Sequence, residues 1–181
     1  MSDANQPRTV SQSAKNNGLD ISSLVLTAIL VAAGIILNIT LGNALAVTGI
    51  KPQFVIASYC LAVLLIRPKT SQAVVLGLIS AAIIQVSTSI PGLNFLTESA
   101  GALVMAAIVN GTSGEGRVVP LVGAFCATLV SGLLFAACGT LIMGADIATV
   151  VVKLPIVLGT AAFNAIVVQA LYLPLKKALK R

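Results

Sequence analysis

The sequence predicts an all-α integral membrane protein of six transmembrane helices, with the N-terminus and C-terminus cytoplasmic. Three observations carry this. Of 181 residues, 57% are hydrophobic and 9% are charged, where a soluble domain carries about 25% charged residues. No charge interrupts positions 21–50, 70–97, 118–145 or 154–175, and a bilayer core about 30 Å thick takes about 20 apolar residues per helix. The basic residues fall almost entirely into one set of alternate connections.

The first 21 residues, MSDANQPRTVSQSAKNNGLDI, are polar. They bury too little apolar surface to fold and read as a flexible cytoplasmic tail, with no cleavable signal peptide. The membrane domain spans 22–175. Its first helix covers 22–42 and opens at "LDISS", where Asp20 or Ser22 can cap it. The second, 52–66, is short; Pro52 suits a first helical position, and Arg67-Pro68 stops it. The third covers 71–89 and ends at Ile90-Pro91-Gly92. The fourth runs 94–110 with Gly111 as its stop. The fifth covers 118–143 and the sixth 148–173, with Pro155 in its first turns and Pro174 near its end. Positions 176–181 form a basic cytoplasmic tail.

Six spans put both termini on one side. That side holds nine basic residues: Arg8, Lys15, Arg67, Lys69, Arg117, Lys176, Lys177, Lys180 and Arg181. The other holds two, Lys51 and Lys153. Basic loops mark the cytoplasmic face, so the pI near 9.6 reports topology and anionic lipid rather than nucleic acid. The expected location is a bacterial-type plasma membrane.

The chain lacks the groups that most enzymes use. It has no histidine, the commonest general base and metal ligand. Cys60, Cys126 and Cys138 show no C-x-x-C spacing and read as small buried hydrophobes. The glycine-rich "NGTSGEGRVVP" lacks the phosphate-binding G-x-x-x-x-G-K-[ST] pattern and reads as a turn. No nucleophile elbow, H-E-x-x-H or acid pair is present, so neither an enzyme nor a cofactor site is expected.

The polar residues gather near three non-cytoplasmic connections: "NALAVTGIK", "IPGLNFLTE" and the segment around "GADIATVVK". Glu98 is the only charged residue between Lys69 and Glu115. A charge at membrane depth faces the bundle interior or a wet cavity. Three roles fit Glu98: a ligand group, a dipole-favoured acid in the first helical turn with Asn94 as cap, or an ion pair with Lys51 or Lys153. Lys51 reads either as a carboxylate partner or as an interfacial snorkelling lysine. Asn38 and Gln85 suit either ligand contact or bonds between helices. Tyr59, Gln53 and Asn164 complete the candidate substrate-binding set, and Phe54 or Phe95 can supply ring contacts. Ala28 and Ala32 lie one turn apart on the first helix and make a smooth strip for another helix.

Three stretches, "LTAILVAAGIILN", "GIKPQFVIASYCLAVLLIRPK" and "IPGLNFLTESAGALV", carry a resemblance. Over roughly residues 24–110 the chain resembles the substrate-binding S-components of energy-coupling factor (ECF) transporters, most closely the tryptophan-specific group. The family's Lys-Pro pair and following polar residue match Lys51, Pro52 and Gln53; its Pro, Asn and acid constellation matches Pro91, Asn94 and Glu98. Two positions depart: Gln53 stands where an aspartate is common, and Ser99 where a lysine often follows the acid. The resemblance implies a six-helix importer subunit with an outward-facing pocket for a small zwitterion such as tryptophan. It implies docking of Ala28 and Ala32 on a coupling membrane subunit, with ATP used by two cytoplasmic ATPases and not by this chain. A vitamin substrate (niacin or a queuosine precursor), or a structural subunit of a membrane complex that transports nothing, are the alternatives.

Overall fold

A computed structural model describes residues 19–47, 51–112 and 116–179. All its regular structure is helical among the described residues. Most of the polar tail, the glycine-rich turn around 113–115 and the last two basic residues lie outside them.

Helix α1 runs Ile21–Ala46. Asp20 caps it, its carboxylate accepting from the Ser23 N–H at 2.9 Å. Ser23, Thr27, Val31 and Gly34 form its buried face, a helical spacing of three to four. At Asn38–Gly42 the helix widens into a π turn, a feature often found at functional sites. Helix α2, Phe54–Ile66, starts after Pro52 rather than at it, with Gln53 as its cap residue. Arg67 ends it in a left-handed conformation, φ 51°, directly before Pro68.

Helix α3 covers Thr70–Ile84, five residues short of the expected end. The hydroxyls of Ser87 and Thr88 bond the carbonyls of Ile84 and Ile90. Such local side-chain bonds compete with helix continuation. Gly92, at φ 85°, makes the turn into α4, Leu93–Gly111. Gly111 is the last helical residue, not the stop. Thr112 closes this end, its hydroxyl donating to the carbonyls of Ile108 and Val109.

Helix α5 is Val119–Ile142, with Pro120 in its first turn, where its missing N–H is harmless. Helix α6 is Ala148–Ala178, longer than the sequence pattern suggests. It continues through Pro174 and takes Lys176 and Lys177 into its last turn, where cations favour the helix dipole. The start of the expected basic tail is therefore helical.

Four helices, α1, α4, α5 and α6, are long and apolar enough to cross a membrane. At 13 and 15 residues, α2 and α3 rise only about 20 and 22 Å. The sequence-based spans for them are thus longer than the helices formed. Helix α2 is the axis of the bundle: Phe54 through Leu65 are all buried, and it contacts each of the other five helices. Around it, α3 packs on α4, α4 on α5 and α5 on α6. Gly77 brings α3 onto α4 so closely that an added Cβ would stand 2.8 Å from the Glu98 carbonyl oxygen. Close approach through small residues is how apolar helices gain dispersion contact where lipid gives no hydrophobic drive.

Candidate functional site

A cavity of about 340 Å³ opens at one end of the bundle. It lies where α1 ends, α2 starts, α3 ends, α4 starts, α5 ends and α6 starts, so the three expected polar connections converge there. Exposed Lys51, Ser89 and Met143 mark its mouth. Its size is at the low end for small-molecule sites, about 300–1,000 Å³.

Glu98 lies five residues inside α4, about 7 Å from its start. It is 3% exposed and lines the cavity. The first turn of α4 contains no acid, so the first-turn role is excluded. Asn94 is not the cap either; Gly92 is. The Asn94 amide instead donates to Glu98 Oε1 at 3.4 Å, and the Thr88 hydroxyl donates to Asn94 Oδ1. Tyr59 and Ser131 stand beside the Glu98 carboxyl group. Its second oxygen, Oε2, is buried and makes no close hydrogen bond among the described residues, with the Tyr59 and Ser131 hydroxyls as the donors beside the group. The third role, an ion pair of Glu98 with Lys51 or Lys153, is not formed among the described residues. Lys51 and Lys153 both line the cavity, but the Lys153 ammonium donates to Thr140 Oγ1 at 3.1 Å.

Asn38 faces the cavity from the π turn of α1, and its Oδ1 is buried without a hydrogen-bond partner among the described residues. A buried acceptor left unmade costs about 1–3 kcal/mol, so the Asn38 oxygen favours a donor-bearing occupant. Gln53 also lines the wall.

Asn164 and Gln85 bond backbone outside the cavity lining, and Tyr59 lies behind that lining. Asn164 is fully buried and clamps the start of α2. Its amide donates to the Gln53 carbonyl at 3.0 Å and to Thr128 Oγ1 at 3.3 Å, and its Oδ1 accepts from the Gln53 N–H. Gln85 spans Ala81 O and the Gly92 N–H, both at 2.9 Å, and so folds the connection into α4. Tyr59 is wholly buried, outside the cavity lining, with its hydroxyl beside the Glu98 carboxyl group. The suggested ring contacts fail as well: Phe54 packs edge-on against Phe163, centroids 6.0 Å apart, and Phe95 is 42% exposed. Ala28 and Ala32 are exposed on α1, away from its buried face.

The residues that sequence reasoning passed over lie mostly on α5. Thr128, Ser131, Gly132, Phe135 and Ala136 line the cavity. They recur at three and four positions in a charge-free helix, and that periodic polar and small stripe was the available signal. Thr88 and Thr160 also line it, as do the apolar Ile56, Ile84, Ile90, Ile156 and Val157.

No protein-family model, no curated protein and no solved structure matches the chain.

Proposed function

We propose that this is a six-span membrane protein with cytoplasmic termini, acting as the substrate-binding S-component of an ECF-type importer. The observation that carries the reading is a cavity lined by one acid, Glu98, and two lysines, Lys51 and Lys153, in an otherwise almost uncharged bundle. Opposite charges in one small hollow suit a small zwitterion, and tryptophan is the first candidate. Its N–H donors meet Glu98 and the unpartnered Asn38 oxygen; its carboxylate meets a lysine. The alternating helix ends that form the cavity support α2 and α3 as membrane-crossing elements within the six-span count, despite their length. Exposure of Ala28 and Ala32 leaves the α1 strip free for the coupling subunit, whose two ATPases would supply the energy this chain does not.

Equilibrium binding of labelled tryptophan to the purified protein tests this. Wild type should bind saturably, and Glu98→Leu should weaken binding by about 100-fold, because a ligand N–H then loses its buried acceptor. Thermal stabilisation by niacin or a queuosine precursor, with none by tryptophan, would move the substrate to a vitamin. No stabilisation by any of these, with partner binding retained, would make the chain a structural subunit.

A further inference from the structure

Behind the cavity wall lies a polar side chain that takes no part in the lining. Tyr59, on the central helix α2, is fully buried, and its hydroxyl has no hydrogen-bond partner among the described residues. A buried phenol usually finds one, and leaving it out costs stability. The hydroxyl does have a space kept for it on α4. Gly101 has no side chain where the phenol oxygen sits, and a Cβ there would overlap that oxygen. Two groups of α5 border the same spot: the Ala127 carbonyl oxygen at 3.1 Å and Ser131 Cβ at 3.4 Å from that Cβ position.

Gly101 follows Glu98 by three residues on α4, a spacing that puts two positions on one helix face. The Tyr59 and Ser131 hydroxyls stand beside the Glu98 carboxyl group, whose Oε2 is buried and likewise makes no close hydrogen bond. A donor without an acceptor and an acceptor without a donor are therefore neighbours. Phenylalanine would fill nearly the same volume as Tyr59, so packing alone gives no reason for an O–H there. Nor is the carboxyl group held by a lysine among the described residues. Its other oxygen, Oε1, takes only a long bond from the Asn94 amide, 3.4 Å, and a carboxylate oxygen has two lone pairs. An acceptor site is left for an occupant of the cavity that Glu98 lines.

We infer that Tyr59 is a positioning residue, whose phenol O–H holds the Glu98 carboxyl group from behind the cavity wall and aims its remaining acceptor at the ligand. Tyr59 itself does not touch the ligand. This rests on the small-molecule uptake reading above and deepens it, by adding a residue that sets affinity from outside the cavity.

A double-mutant cycle on the purified full-length protein, read by equilibrium binding of labelled tryptophan, tests this. Tyr59→Phe should weaken binding at least about fivefold, because the carboxyl group loses a hydrogen-bond donor. In the Glu98→Leu background, with ligand concentrations raised to cover its weaker binding, Tyr59→Phe should change affinity by less than about twofold. The group that the phenol positions is then gone. A merely structural role would lower affinity by the same factor in both backgrounds, and that result would overturn the inference. So would wild-type affinity in Tyr59→Phe. Tyr59→Phe removes one oxygen and keeps the ring, so its failure to fold would show a structural role and overturn the inference as well. In these three outcomes wild type still binds tryptophan and the uptake reading stands. Failure of wild type to bind tryptophan overturns both.

Discussion

The two halves of the bundle are built on opposite plans. In the apolar cluster of one half, Ile56 to Leu64 of α2, except Ser58, meet Ala73 and Leu76 of α3, Ala102, Met105, Ala106 and Val109 of α4, Ala124 and Ala127 of α5, and Val168 of α6. Of these only Ile56 reaches the cavity. That half is closed, and Asn110 ties its end by donating to the Pro68 carbonyl at 3.2 Å. At the cavity end the same helices present Asn38, Asn94, Glu98, Thr128 and Ser131 to a hollow. Close packing gives way there to a space that polar groups face. The difference separates stability from binding, and substitutions should separate them too.

The largest expected effect lies in the closed half. Met105 is fully buried, and Met105→Ala should remove about 3 kcal/mol of stability by leaving a cavity among neighbours that cannot collapse. Ligand affinity should stay within about twofold. Unfolding in mixed detergent micelles, beside equilibrium binding, measures both. An equal loss of binding would show that the halves are one cooperative unit and sink the comparison.

Asn164→Ala should act on both halves, more weakly. It strips the Gln53 N–H and C=O of their buried partner, which costs about 2 kcal/mol. It also frees the segment that carries Lys51, whose carbonyl accepts from Thr160 at 3.2 Å. Affinity should fall a few-fold by calorimetry. A loss as large as that of Glu98→Leu would return Asn164 to the ligand shell and contradict its role as a clamp.

How much of this could be read beforehand follows the same division. Charge-free stretches and punctuating prolines located every helix, because bilayer length and backbone chemistry act residue by residue. They misplaced the end of α3, where Ser87 and Thr88 bond their own backbone. They also cut α6 short, since the turn after Pro174 is held by good helix formers and lysines. The convergence of the polar connections was legible from alternation alone. Which side chain enters the hollow was not. Gln85 and Thr88 are three residues apart in one connection, yet Gln85 bonds backbone while Thr88 lines the cavity. Helix rotation decides such cases, and packing partners distant in sequence set it.

Phe95 and Phe135 provide the smallest expected effect and the finest check on that rotation. Both rings belong to helices that line the cavity, and the sequence reading offers Phe54 or Phe95 for ring contact but not Phe135. In the structure Asn94 and Glu98 turn inward, one helical turn apart, which carries Phe95 to the outer surface at 42% exposure. Phe95→Ala should therefore change ligand affinity by less than about twofold and stability by less than about 1 kcal/mol. Phe135→Ala should weaken an aromatic ligand by about tenfold, through lost ring contact. If titration of the two variants gave the reverse order, α4 would have to rotate by most of a half-turn. Glu98 would then face lipid, where an uncompensated carboxylate costs at least about 2.5 kcal/mol, and the separation of a binding half from a packed half would fail with it.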